Sequence, residues 1–426
     1  MGLSLIVILF IVFLLGMPIS FALGIVSLFA IITHGYPLPV IAQKMFSGID
    51  SSCLIAVPLF IFAGDLMGKG GLSKRLVKFS NALVGHLPSG LAMVAIVACM
   101  LFAAVTGSAI AASAAIGGML IPEMIKGGYD KSFAASLMAT GGSIGPIIPP
   151  SIPLLIYGTL VNVSIAKLFI GGIIPGITMG IALMIYSYFV GKKRNYRSSA
   201  VRRASFKEIL QNMQSAILAL LMPIIIIGGI MAGIFTPTEA GAIAVVFAFV
   251  VGKFIYKELK WSDLPEILKQ SAITNGIILF VLCNARVFMW YLTIEQIPQK
   301  LAEIMVASIH SKYVLLAVMN IILLFAGTFI DTISNIVIFV PLFLPIVQLF
   351  GIDLIHFGVV VAVNLTIGMC TPPLGVCIFT TASIAKISIS DMFRDLFPQI
   401  SILIIVLLII TYIPSSVLLL VNILGH

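Results

Sequence analysis

Two stretches of this chain carry residue types that could do chemistry inside an apolar setting. They are GGSIGPIIPPSIP from Gly141 and NLTIGMCTPPLG from Asn364. Gly weakens a helix and Pro removes a backbone donor, so each stretch predicts a helix that unwinds midway and then restarts. Unwinding leaves unpaired carbonyls at the end of the first half and unpaired N–H groups at the start of the second. Carbonyl oxygens suit a hard cation such as Na+, whereas a helix N-terminus carries about half a positive charge and suits an anion. Gly142, Ser143 and Gly145 are therefore candidate Na+ ligands in the first stretch, and Asn364, Thr366 and Gly368 in the second. Pro149 and Pro150 are expected where the new helix starts, with Ser151 beside them. Thr371, Pro372 and Pro373 form the second such group, and both groups are candidate anion contacts.

A small polar tip precedes each stretch. The apolar arms 91–105 and 109–121 flank Thr106, Gly107 and Ser108. An arm of about fifteen residues rises only about 20 to 23 Å, short of a hydrocarbon core of about 30 Å. A re-entrant hairpin with its tip near the midplane fits better than two crossings. The second copy has Gly327, Thr328, Asp331, Thr332 and Asn335 at its tip. Thr106, Gly107, Ser108, Thr328, Asp331, Thr332 and Asn335 join the candidate Na+ ligands, and Ser108 also joins the anion set. Two tips meeting two broken helices would make two cation sites flanking a central anion site.

What must position these residues is a membrane. Hydrophobic residues make up 61% of 426 and charged residues 9%, where a soluble domain carries about a quarter charged. The fold class expected is an all-α polytopic membrane protein. The start, MGLSLIVILFIVFLLGMPIS, has no basic n-region and reads as a retained helix rather than a signal peptide. Lys192, Lys193, Arg194, Arg197, Arg202, Arg203 and Lys207 cluster in one loop, which the positive-inside rule places in the cytoplasm. That loop, rather than nucleic-acid binding, accounts for much of the net charge of +9. Five cysteines in apolar context, without a CxxC, read as buried thiols.

The landmarks recur at nearly constant spacing. Pro18 corresponds to Pro237, Gly107 to Gly327, Pro149-Pro150 to Pro372-Pro373 and Pro175 to Pro398, so the chain is an internal repeat. The first copy is expected over 1–190, with spans 3–33 and 50–69, an amphipathic interfacial arm 71–87, a hairpin 89–124, a broken helix 131–162 and a crossing over 165–190. A basic cytoplasmic loop covers 191–214 and a connecting span 215–234. The second copy covers 235–426, with spans 238–256 and 271–294, an arm 296–311, a hairpin 312–350 and a broken helix 354–386. One extra span between the copies inverts the second. The reading is nine crossings and two hairpins opening to opposite faces, with the N-terminus cytoplasmic and the C-terminus periplasmic. Inverted repeats with paired discontinuous helices point to secondary transport.

The chain resembles the large membrane subunit of tripartite ATP-independent periplasmic (TRAP) transporters over essentially its full length. The resemblance rests on GMPISFALG from Gly16, FAAVTGSAIA from Phe102, GGSIGPIIPPSIPLLIYG from Gly141, FTPTEAGAIA from Phe235 and NLTIGMCTPPLG from Asn364. It implies an elevator-type ion-transporter architecture and Na+-coupled symport of an organic-acid anion across the bacterial inner membrane. Overall likeness leans toward the sialic-acid branch (N-acetylneuraminate), with C4-dicarboxylates as the alternative. It also implies a separate four-helix membrane subunit and a periplasmic substrate-binding protein as partners, with membrane lipid around the chain. Na+ would be co-transported and no organic cofactor is implied.

Intramembrane charges are expensive and functional by default. Arg286 is a candidate anion contact, or else pairs with an acid such as Asp331 or Glu295. Asp331 either binds the cation or fixes its tip. Asp65 near Lys69 and Glu123 near Lys126 read as interfacial pairs or caps, and Glu239 in TPTEAG as a helix cap. An integral membrane enzyme would need a cluster of acids or a metal triad at one interface, and an ATP-driven pump would need GxxxxGK[ST]; neither pattern occurs. A channel would not require two opposed hairpins.

Overall fold

In a computed structural model, residues 8–9, 11–12, 15–196 and 203–424 are described, and among them every regular element is helical. The first copy contains α1 (Ile19–Thr33), α2 (Pro39–Ile49), α3 (Ala56–Lys69) and the amphipathic α4 (Leu72–Val84). The hairpin follows as α5 (Gly90–Thr106) and α6 (Ala109–Lys126), then the broken helix as α7 (Lys131–Gly142) and α8 (Ile152–Val161), then α9 (Ile165–Arg194). Between the copies lies α10 (Phe206–Met231). The second copy repeats the order: α11 (Pro237–Val250), α12 (Leu264–Ile294), α13 (Ile297–Ser308), the hairpin α14 (Lys312–Phe329) and α15 (Thr332–Leu349), and the broken helix α16 (Leu354–Gly368) and α17 (Val376–Ala385). It closes with α18 (Ile389–Tyr412) and α19 (Ser415–Leu424). The result is a polytopic all-α fold of inverted repeats, each with one helical hairpin and one discontinuous helix.

Three expectations change in detail. The span expected over 3–33 is interrupted: a turn at Leu15-Gly16 precedes Pro18, which caps α1, and Gly16 takes the left-handed conformation at φ 84 that Gly tolerates. Residues 3–7, 10, 13 and 14 of that span lie outside the described residues. The basic loop is shorter than expected, because Lys192, Lys193 and Arg194 form the last turn of α9 and Lys207 lies in the first turn of α10. Arg197 and Arg202 lie outside the described residues. Nine helical stretches among the described residues are long and apolar enough to cross a bilayer, yet three of them are the hairpin arms α6, α14 and α15. They are not the same nine that periodicity counts as crossings.

Side-chain caps set the element boundaries. Thr236 and Glu239 form a reciprocal capping box that starts α11, and Ser205 with Glu208 does the same for α10. Asp65 is no partner of Lys69; it accepts from Ser271 Oγ at 2.5 Å and so ties α3 to α12.

Two bodies emerge from the packing. Helices α1, α2, α3, α11 and α12 pack on one another, while the hairpins, the broken helices, α9, α18 and α19 form the second group. The arm α4 lies between α5 and α10, and α13 lies against α15. Arg75 of α4 reaches Glu258 at 2.6 Å and stacks over Tyr256, 3.7 Å from the ring centroid, tying the arm to the turn after α11.

Within the second group the copies brace each other crosswise. Ser136 Oγ on α7 donates to the Met392 carbonyl on α18 at 3.2 Å, and Thr140 Oγ1 donates to Gln399 Oε1 at 2.7 Å. At the outer end, Arg194 joins Asp130, which precedes α7, at 2.9 Å and the nearly buried Asp395 of α18 at 2.5 Å. Tyr196 OH donates to the same Asp130 carboxylate at 2.7 Å.

Candidate functional site

The first hairpin tip sits directly on the first break. Gly107 turns the chain at φ 60, and a Cβ there would lie 2.5 Å from the Pro150 carbonyl oxygen. A Cβ on Gly145 would lie 2.9 Å from the Ser108 carbonyl oxygen, and one on Gly142 would meet Ser113 Oγ at 2.0 Å. At Gly107 and Gly145 glycine admits a backbone carbonyl at close range, and at Gly142 it admits the Ser113 hydroxyl. The hydroxyls are already engaged locally. Ser108 Oγ caps α6 by accepting from Ala111 N at 3.3 Å, Ser143 Oγ donates to the Thr140 carbonyl at 2.7 Å, and Thr106 Oγ1 donates to Phe102 O at 3.2 Å.

The Pro pairs do not begin the second half-helices. Helix α8 starts at Ile152 with Ser151 as its cap, and α17 starts at Val376 after Gly375. Pro149-Pro150 and Pro372-Pro373 lie within the unwound segments, each joined by a cis peptide. The proline that occupies the first turn of α8 is Pro153, where a missing donor leaves no hydrogen bond unmade. Ser151 Oγ accepts from Leu154 N at 3.2 Å and donates to the Pro146 carbonyl, so this hydroxyl clasps the unwound segment to the new helix.

The second crossing has the same plan with different chemistry. Gly327 and Gly368 touch through their backbones, and a Cβ on Gly368 would lie 2.6 Å from Gly327 Cα. Asp331 caps α15, accepting from Ser334 N at 3.0 Å and Ser334 Oγ at 2.6 Å, so its carboxylate fixes the tip. Thr332 Oγ1 donates to Met369 Sδ at 3.0 Å, joining tip to break. Thr328 and Thr366 each return a hydroxyl to a carbonyl of their own helix, at 2.8 and 2.9 Å, and Thr371, in the unwound segment, donates back to the Ile367 carbonyl near the end of α16 at 2.8 Å.

Two amide side chains stand apart. Asn335 Nδ2 donates to Ile330 O at 2.8 Å, and Asn364 Nδ2 donates to Asn320 O and Oδ1 at 2.9 and 2.8 Å. Both residues are 0% exposed, and the Oδ1 of each accepts no hydrogen bond. A buried amide oxygen without a donor costs about 1 to 3 kcal/mol unless something positive meets it. Na+ fits this donor set: hard neutral oxygens, on the two elements that cross at Gly327 and Gly368.

Sequence reasoning missed the residues that hold these amides. Asn320 Nδ2 donates to Thr411 Oγ1 at 3.0 Å, which extends the chain Asn364–Asn320–Thr411 from the break through α14 to α18. A lone Asn inside the apolar arm α14 is the signal that could have found it. Thr140 and Gln399 were missed for the same reason.

Arg286 is not brought to the breaks. It lines a small, half-open pocket between α2, α8, α12 and α15. The expected pair with Asp331 or Glu295 does not form, because Asp331 is spent on Ser334 and Glu295 accepts from Tyr36 OH at 2.9 Å.

The family model described as "Tripartite ATP-independent periplasmic transporter, DctM component" matches residues 6–416. An "Isethionate TRAP transporter permease protein DctMQ" of Oleidesulfovibrio alaskensis is 41% identical over 94% of this chain, which spans 63% of that longer relative. A "C4-dicarboxylate TRAP transporter large permease protein DctM" of Pseudomonas aeruginosa is 40% identical, covering 90% of each chain. A "Sialic acid TRAP transporter large permease protein SiaM" of Vibrio cholerae is 39% identical, covering 95% of each. Among solved structures, the Alcanivorax borkumensis YdaH transporter superposes with a TM-score of 0.52 at 15% identity, over 90% of this chain and 88% of that one. At that identity the likeness bears on fold alone.

Proposed function

The chain belongs to the DctM family of tripartite ATP-independent periplasmic transporters, and from that premise we propose that it carries a small organic-acid anion together with Na+ across the bacterial inner membrane. It is a multi-pass transporter permease and not an enzyme. The observation that carries the Na+ part is the pair of fully buried, unpartnered oxygens on Asn335 and Asn364. A cation that meets these oxygens offsets their missing donors and helps to hold the second tip against the second break. At the first crossing the carbonyls around Gly142 and Gly145 offer the corresponding ligands. The anion then meets the unwound segments around Ser108, Ser151 and Thr371, beside the Pro pairs. Binding Na+ first preforms that surface, which couples the two solutes.

Movement in this reading is an elevator-like shift of the hairpins and broken helices against α1–α3, α11 and α12. The division of the packing into two bodies supports it. A four-helix membrane subunit and a periplasmic binding protein complete the system, with the N-terminus cytoplasmic and the C-terminus periplasmic. N-acetylneuraminate is the first anion to test and a C4-dicarboxylate the second. Relatives named for isethionate, C4-dicarboxylate and sialic acid are 41, 40 and 39% identical, so likeness does not choose among them.

Reconstitution into liposomes with the small subunit and candidate binding proteins tests the reading. Uptake of N-acetylneuraminate, or else of succinate, should require an inward Na+ gradient. If more positive than negative charge enters, it should also respond to potential, worth about 2.3 kcal/mol per net charge per 100 mV. Uptake that is unchanged when Na+ is removed overturns the proposal.

A further inference from the structure

Cys99, Cys370 and Cys377 are buried, and the sites above make no use of them. Two of them flank the second unwound segment. Cys370 follows the end of α16 at Gly368, and Cys377 is the second residue of α17. The chain between them turns back sharply. Cys377 N donates to Met369 O at 3.2 Å, and a Cβ on Gly375 would lie 2.7 Å from Met369 O and 3.0 Å from Thr371 O. Glycine therefore lets the segment close, and closure brings the Cys370 and Cys377 thiols into a hydrogen bond with each other. Both residues are 0% exposed.

The surroundings suit a metal-bound sulfur. The N-terminus of α17 presents its positive end at Cys377. The Ser143 hydroxyl lies against the Cys370 sulfur and the Ser113 hydroxyl against that of Cys377, so each sulfur has a neighbour that can turn to donate to it. The ligand count is small. Among the described residues no group of three or more His, Cys, Asp or Glu could hold a metal, so the tetrahedral set that Zn2+ takes is not supplied. Two facing sulfurs instead match a soft monovalent ion, which accepts thiolates and is content with a linear pair.

We propose that Cys370 and Cys377 form a two-coordinate site for a soft monovalent ion of the Cu+ and Ag+ class, which pins the second break. Binding replaces two S–H bonds by two sulfur–metal bonds; both protons leave to water and no electron is transferred. The bridge ties the end of α16 to the first turn of α17, with Thr371, Pro372 and Pro373 held between. It also lies against the first copy, because Cys370 Sγ reaches the Ala139 carbonyl of α7 at 3.4 Å, Ser113 belongs to α6 and Ser143 follows α7. Any motion that reshapes the second break must then strain a metal–sulfur bond. Resting on the transport reading, the bound ion is an inhibitor.

Ag+ is the probe, because it shares the preference for sulfur and keeps its oxidation state. The purified full chain carries Cys53→Ser and Cys283→Ser, which remove the half-buried thiols. It is equilibrated with silver nitrate in chloride-free buffer without Na+ or organic anion. Native mass spectrometry should find one retained ion per chain, undisturbed by excess Zn2+. Thiolate-to-metal absorbance in the same chain should rise and stop at one equivalent, a result that needs no further variant. Cys370→Ser and Cys377→Ser keep the size of the side chain and exchange soft sulfur for hard oxygen, so each should lose the ion, whereas Cys99→Ser should keep it. No retained ion, retention by either Cys370→Ser or Cys377→Ser, or loss in Cys99→Ser overturns the site.

In liposomes, Ag+ should abolish uptake by the parent and by Cys99→Ser and spare the Cys370→Ser and Cys377→Ser chains. Equal inhibition of all four overturns the pinning. Binding is read without Na+ or anion, so its failure leaves Na+-coupled symport standing, and failure of symport leaves the bound ion standing.

Discussion

Gly327 and Gly368 meet backbone to backbone, with Leu365 O also within 3.3 Å of where a Gly327 Cβ would stand. The hairpin tip and the broken helix therefore cross at a separation that admits no side chain on either strand of the contact.

Replacing Gly368 with Ala should force the two elements apart. Overpacking at a close contact costs about 1 to 3 kcal/mol. Gly118, with nothing within 4 Å of its would-be Cβ, supplies the control. Gly368→Ala should lower the thermal midpoint of the purified chain and weaken Na+-dependent uptake, whereas Gly118→Ala should do neither. Equal behaviour of the two variants would remove the contact's importance.

The unpartnered amide oxygens make a separate prediction. In the proposed site, Asn364→Leu or Asn335→Leu removes an oxygen that would meet the cation, an interaction worth about 1.5 to 3 kcal/mol. The Na+ concentration for half-maximal uptake should then rise by about tenfold or more. Asn320→Ala, which removes only the side chain that holds Asn364, should produce a smaller rise. Na+ dependence that is identical across the three variants would exclude Asn335 and Asn364 as ligands.

Arg194 has two carboxylate partners of unlike exposure: the Asp395 side chain is 3% exposed and that of Asp130 is 62%. Arg194→Met leaves the Asp395 carboxylate buried and unmatched, which costs about 3 to 5 kcal/mol. Asp130→Asn removes a largely solvated contact worth about 0 to 1 kcal/mol. Thermal denaturation in detergent should order the variants accordingly, and adding Asp395→Leu to Arg194→Met should recover part of the loss. No recovery would mean that the arginine acts through packing on Phe133, whose ring centroid lies 5.8 Å from its guanidinium carbon.

The hairpin tips and the unwound segments were legible because Gly, Ser and Thr interrupt otherwise apolar runs, and only broken backbone explains such an interruption. The restart of each half-helix was not. Pro149, Pro150 and Pro153 are all compatible with a helix start, and the choice fell to Ser151, whose hydroxyl reaches Leu154 N. The break before α1 was hidden for a related reason, since Gly16-Met17-Pro18 is as apolar as its surroundings. Arg286 was legible as a costly charge but not in its surroundings. Asp331 satisfies itself three residues along its own helix, a local bond that outcompetes any distant partner. Asn320 and Gln399 act across the two copies, and such pairings depend on tertiary distances that periodicity does not contain.

The crosswise brace has a consequence for biogenesis. Thr140, beside the first break, takes its partner Gln399 from the far end of the chain, 259 residues on. A ribosome feeding this protein into the membrane completes the first copy long before Gln399 emerges. Until then the end of α7 lacks that bond, as Ser136 lacks the Met392 carbonyl. The first half is thus assembled as a lodger awaiting the second, and the second group of helices closes only when α18 arrives.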